Sequence, residues 1–208
     1  MCLIVAKPRG VDMPTDADLW AMWNANPGGA GFMYLAKDRA VHIEKGFMRF
    51  TELMDALDRI DTYTDIVLHF RRMKNRNPAF THPFPVDKPD ELLALTCDAR
   101  MGVAQNGIIR TEPRTDDLSR NMAFTKRVLA PMWENDHCFL DYRSTRDLLG
   151  VTTNCKMVFL DDSGFFIFVG DFFRVDGIYY SNDRFDHNGL TDWDKPVKMD
   201  MLKGAYKK

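Results

Sequence analysis

The sequence predicts an α+β protein. Short apolar runs, segments with helical spacing and turn signals follow one another in the order βαββαβ and then αβββ, a pattern that favours sheets covered by helices. The apolar runs are far shorter than the ~20 residues that span a bilayer. At 208 residues, the chain can bury roughly 70% of its unfolded surface and close a core without staples.

Leu3-Ile4-Val5-Ala6, closed by Pro8 and Gly10, reads as a buried strand that anchors Cys2 directly ahead of it. Residues 15–26 carry Leu19, Met22 and Trp23 at helical spacing behind a Thr/Asp start signal, and Pro27-Gly28-Gly29 ends that helix. Residues 31–36 and 40–45 flank Lys37-Asp38-Arg39 as a hairpin. A helix opening at Thr51 puts Leu53, Leu57 and Ile60 on one face, and residues 65–70 form the next strand. Residues 71–89 are a long loop rich in Pro, Asn and basic residues, a length that suits an active-site wall. Residues 99–109 are strand-like but broken by Asn106-Gly107, residues 118–130 form a helix ended by Pro131, and residues 155–160, 164–169 and 178–180 form an antiparallel meander. One domain is expected over residues 1–190, followed by a polar, partly mobile tail over residues 191–208.

With 28 Lys+Arg against 30 Asp+Glu, the net charge is −2, so the general attraction of a basic protein to phosphate backbones is absent and nucleic acid is not an expected partner. The N-terminus lacks the basic and apolar regions of an export signal. Cys2, Cys97, Cys138 and Cys155 show no C-x-x-C spacing, which points away from a zinc ribbon or disulfide framework and towards a reduced, cytoplasmic setting.

Cys2 is the most informative position. Removal of Met1 would leave a thiol and a free α-amine on one residue, with ordinary pKa values near 8.5 and 7.7–8.0, so the amine can assist deprotonation of the thiol at neutral pH. The plain alternative is a chance Met-Cys start before a core strand. Asn106-Gly107 offers an amide side chain and an unhindered backbone N–H that can receive an oxyanion, although Asn-Gly also makes ordinary hairpin turns. Arg71, at the end of the His69-Phe70-Arg71 strand, can hold a carboxylate by a planar two-point contact, or be one more solvated cation beside Arg72, Lys74 and Arg76. His82, in the stiff loop Thr81-His82-Pro83-Phe84-Pro85, suits a structural role better than that of a general base.

In order along the chain, Met1-Cys2-Leu3-Ile4-Val5, His69-Phe70-Arg71, His82-Pro83-Phe84, Gln105-Asn106-Gly107-Ile108-Ile109, residues 124–131 and Asp176-Gly177-Ile178-Tyr179-Tyr180-Ser181-Asn182 resemble the class II glutamine amidotransferases, which are N-terminal nucleophile hydrolases. The resemblance implies a four-layer αββα sandwich and hydrolysis of the glutamine side-chain amide through a thioester on Cys2, with the ammonia passed to an acceptor such as a separate synthase. It further implies that Asn106 and Gly107 are oxyanion donors, that Arg71 and the His82 loop line the substrate site, and that this half-reaction needs no metal or other cofactor.

Two positions depart from the family pattern. Lys74 stands where the family has Thr. In Ser119-Arg120-Asn121, Arg120 takes the place of the acid that holds the substrate ammonium, with Asp116 and Asp117 upstream as candidate replacements. A cation cannot bind an ammonium, so two alternatives stay open beside a stand-alone glutaminase: a hydrolase of another γ-glutamyl or related amide, shaped by Lys74 and Arg120, and a non-catalytic binding module on the same fold.

Overall fold

The computed structural model describes residues 1–73, 77–112, 117–186, 196–198 and 202–203. β1 (Leu3–Lys7) is followed by α1 (Asp16–Ala25), whose N-cap Thr15 forms a capping box with Asp18, and by the hairpin of β2 (Ala30–Leu35) and β3 (Val41–Phe47). α2 (Phe50–Leu57), β4 (Ile66–Phe70), β5 (Phe84–Pro85), β6 (Thr96–Ala99) and β7 (Met101–Asn106) come next. The helical stretch that follows comprises α3 (Arg120–Phe124), a π-helical turn (Thr125–Leu129), α4 (Ala130–Asn135) and α5 (Arg143–Thr153). β8 (Lys156–Asp161), β9 (Phe165–Val169), β10 (Asp171–Val175), β11 (Ile178–Tyr180), β12 (Val197–Lys198) and β13 (Leu202–Lys203) complete the order.

The strands form two antiparallel sheets, in the orders β12-β10-β11-β1-β4-β2-β3-β6 and β13-β9-β8-β7-β5. The mixed α+β class expected from the element order is therefore found. β1 lies between β11 and β4, in register Ile4 with His69 and Val5 with Tyr180.

Alternation along the strands assigns each side chain to a layer. Leu3 and Val5 join Phe32 and Leu68 against Met22 of α1 and Leu53 of α2. Ile4 and Ala6 face the other way and meet Met33, Ile43, Ala104 and Phe168 between the sheets. On the far face of the second sheet, Val103, Phe159 and Ile167 pack under Met122, Trp133 and Leu149 of the later helices. Leu3, Ile4 and Val5 are fully buried, and truncating a side chain at such a site costs about 2–5 kcal/mol.

At one end of the inter-sheet layer this alternation turns polar. Cys2 precedes Ile4 on β1, His69 follows Val67 on β4, Lys45 follows Ile43 on β3, and Asn106 follows Ala104 on β7. Gly31 sits opposite both His69 and Lys45, where any Cβ would collide with the His82 carbonyl oxygen and the Lys45 side chain.

The helix expected to stop at Pro131 runs through it. Ala130 N–H bonds to Thr125 O, the i to i−5 pattern of a π turn, and this wider turn takes up the proline ring and its missing N–H within a continuous helix. In the expected tail, β12 pairs with β10 and β13 with β9, so its described residues add short strands to both sheets.

Candidate active site

Cys2 is half-buried at the head of β1. Its backbone is held by Asn182 Nδ2, which donates to Cys2 O at 2.8 Å, and, two residues on, Ile4 exchanges two bonds with Ser181, Ser181 N to Ile4 O at 3.0 Å and Ile4 N to Ser181 Oγ at 2.9 Å. The thiol accepts from Arg72 N at 3.4 Å. Burial pushes the Cys2 pKa up, while the Arg72 N–H, the nearby amino terminus and the Arg71 charge pull it down. Burial, with Arg72 and Arg184, also lowers the pKa of the Met1 amine. Burial is the largest of these effects, so the Cys2 thiol stays above its ordinary pKa and the cations at this end of the chain offset the shift only in part.

Asn106 closes β7 opposite Lys156 of β8 and is buried. Its Nδ2 donates to Ser181 Oγ at 2.9 Å, and its Oδ1 has no hydrogen-bond partner among the described residues. Gly107 follows with φ +145, a conformation that favours glycine, and it lies against Cys155. Asn121 Nδ2 reaches Gly107 O at 3.3 Å from the first turn of α3, whose N-cap Ser119 accepts from Met122 N.

Arg71 is buried just beyond β4. Its N–H donates to Gly29 O at 2.8 Å, Gly28 N–H donates to Arg71 O at 2.7 Å, and its guanidinium reaches Asn77 O at 3.5 Å. A Cβ on Gly28 would lie 2.7 Å from Arg71 O and from the Met73 backbone, so the Gly28-Gly29 pair between α1 and β2 makes room for the Arg71 turn.

His69 and His82 pack with ring centroids 4.4 Å apart and planes tilted by 41°, and His69 Nε2 donates to Gln105 O at 3.2 Å, bracing the residue before Asn106. Burial lowers the His69 pKa to about 3 and the His82 pKa well below its ordinary value, so both rings are neutral at pH 7. Beside them Lys45 is buried with Nζ on Ala79 O at 2.8 Å, on Leu92 O at 2.6 Å and over the Phe84 ring at 4.5 Å.

The structure therefore gathers Cys2, Arg71, His82, Asn106 and Gly107 around one end of the inter-sheet layer. Arg120 is half-buried as the first residue of α3, next to Asn121, whereas Asp117 is exposed ahead of that helix. Lys74 and Asp116 lie outside the described residues. From the sequence, Ser181 and Asn182 belong to the resemblance and carry no assigned role. The available signal was a polar pair placed directly after the apolar strand Ile178-Tyr179-Tyr180. Among the described residues no cluster of three or more His, Cys, Asp or Glu is placed to hold a metal ion, and no helix is long and apolar enough to cross a membrane. No protein-family model matches the chain, and no curated protein matches it.

Proposed function

We propose that this protein is an amidohydrolase of the class II glutamine amidotransferase type, built on the four-layer αββα sandwich of the N-terminal nucleophile hydrolases. The observation that carries the reading is the hydrogen-bonded path Cys2 O, Asn182, Ser181 Oγ, Asn106, which joins the thiol residue to the Asn-Gly turn across the two sheets. Helices packed on the outer face of each sheet support the layer order.

In this reading, removal of Met1 frees the α-amine of Cys2, which takes the thiol proton. The thiolate attacks the side-chain amide carbon of glutamine. The oxyanion that forms accepts from Asn106 Nδ2 and Gly107 N–H, donors worth about 2.7–4 kcal/mol each in such reactions. The amide nitrogen takes the proton and leaves as ammonia, a thioester remains on Cys2, and water releases glutamate. Arg71 holds the α-carboxylate by a charge-assisted contact. The ammonia passes to a separate acceptor.

The test is intact mass before and after incubation with a glutamine-like diazo-ketone. Loss of one methionine and one label per chain, with label and glutamate release both abolished in Cys2→Ala, supports the reading. Retained methionine and no label overturn it in favour of a binding module.

A second reading is favoured by the half-buried Arg120 beside Asn121. Here the chemistry is kept but the preferred substrate is another γ-glutamyl or related amide. A processed protein that glutamine analogues do not label, yet that turns over one member of an amide panel, selects it.

A further inference from the structure

Beside the His69–Gln105 contact, Ser181 is a point at which the two sheets are hydrogen-bonded together at the active end. From the first sheet, Ile4 N donates to Ser181 Oγ at 2.9 Å and Ser181 N donates to Ile4 O at 3.0 Å. From the second sheet, two residues that are direct partners across β7 and β8 reach over to it: Asn106 Nδ2 to Oγ at 2.9 Å and Lys156 Nζ to the Ser181 carbonyl oxygen at 2.7 Å. Asn182 Nδ2 adds a weaker contact to Oγ at 3.3 Å while holding Cys2 O, and its own orientation is set by Arg184 N on Asn182 Oδ1 at 3.3 Å.

Deeper between the sheets the contacts are apolar side chains such as Ile4, Ala104 and Phe168, which hold the layers together without direction, and the His69 Nε2 bond to Gln105 O at 3.2 Å fixes the β7 backbone but not the Asn106 side chain. Hydrogen bonds are directional, so the ones at Ser181 fix where Asn106 stands relative to the β1 head. Ser181 is 1% exposed, so its hydroxyl, not bulk water, is what Asn106 Nδ2 and Ile4 N donate to. Asn106 spends one of its two Nδ2 hydrogens on Ser181, which turns the other to a defined direction.

We infer that Ser181 is a positioning residue that sets the Asn106 amide as an oxyanion donor and locks the spacing between nucleophile and donor. This rests on the amidohydrolase reading above. Ser181 touches no substrate and acts through Asn106. An error of about 1 Å in such a donor costs on the order of a hundredfold in rate.

A double-mutant cycle on glutamine turnover tests it. Ser181→Ala is expected to lower kcat about tenfold to a hundredfold with KM within about threefold, and to cause no further loss when added to Asn106→Ala. Undiminished kcat in Ser181→Ala, or an equal loss in both backgrounds, overturns the inference. Ser181→Thr, which keeps the hydroxyl, is expected to retain most of the rate. If Ser181→Ala does not fold, Ser181→Cys carries the same readouts at smaller amplitude.

An independent readout is the side-chain amide of Asn106 in protein labelled with ¹⁵N-asparagine. Its two protons are expected to be distinct and slow to exchange, and to lose that protection in Ser181→Ala. If the unaltered protein turns over no amide, the amidohydrolase reading fails, and the resonance alone decides whether Ser181 orients Asn106. An unchanged resonance overturns the link whatever the turnover.

Discussion

Gly107 packs directly on Cys155: a Cβ at position 107 would fall well inside van der Waals contact distance of Cys155 Sγ and within 3.2 Å of its Cβ and Cα. The turn after β7 is thus restricted twice, by φ +145 and by the buried residue beneath it. Gly107→Ala is expected to cost about 1–3 kcal/mol of stability and at least tenfold in turnover. Adding Cys155→Ala removes the sulfur but leaves the backbone strain, so it should recover part of the stability. Urea unfolding of the single and double variants checks this, and full recovery would show that strain at φ +145 plays no part.

Lys45 makes the folding free energy depend on pH on the alkaline side. Burial lowers its pKa to about 7, whereas an unfolded lysine titrates near about 10.4. Between those values the unfolded chain holds a proton that the folded chain has shed, so stability rises with pH and is flat with respect to this group below about 7. The upper limit is about 1.4 kcal/mol per pH unit, reduced because Ala79 O and Leu92 O accept from the ammonium. Unfolding midpoints at pH 7 and 9 should differ more in the unaltered protein than in Lys45→Met; equal slopes would mean that Lys45 stays charged in the fold.

Arg71→Lys keeps the charge but loses the planar fork. If Arg71 holds a substrate carboxylate, KM for glutamine should rise about tenfold to a hundredfold with kcat little changed, the equivalent of about 1.5–3 kcal/mol of charge-assisted hydrogen bonding. Steady-state kinetics decides: a fall in kcat at constant KM would instead assign Arg71 to shaping the turn on Gly28 and Gly29.

Much of the fold was legible because local and global signals agree. Thr15 and Asp18 announce α1, Lys37-Asp38-Arg39 marks the hairpin, and short continuous apolar runs identify β1 and β4, both buried along their whole length. α5 was not read, since its N-cap Tyr142 makes no side-chain cap bond and Gly150, Val151, Thr152 and Thr153 are poor helix formers. Packing of Leu149 on the second sheet stabilises it instead. β10 was missed for a related reason, as its outward residues follow no clean alternation. In the candidate site, Cys2, Asn106 and Gly107 stand out by chemical type. The roles of Ser181 and Asn182 come from bonds to residues 177 and 180 positions away, and no local pattern encodes a partner at that distance.

The placement of β1 between β4 and β11 has a consequence for biosynthesis. Ile4 leaves the ribosome early and finds His69 soon after, but its other flank stays open until Ser181, 177 residues later, has been made. The nascent chain therefore carries Cys2 on a strand with one unguarded edge for most of translation, and the thiol meets its Asn-Gly turn in final register only when synthesis has passed Asn182. If the amidohydrolase reading holds, this order keeps the thiol apart from its oxyanion donors until the chain is nearly complete, while Met1, 55% exposed in the finished fold, stays open to an aminopeptidase throughout.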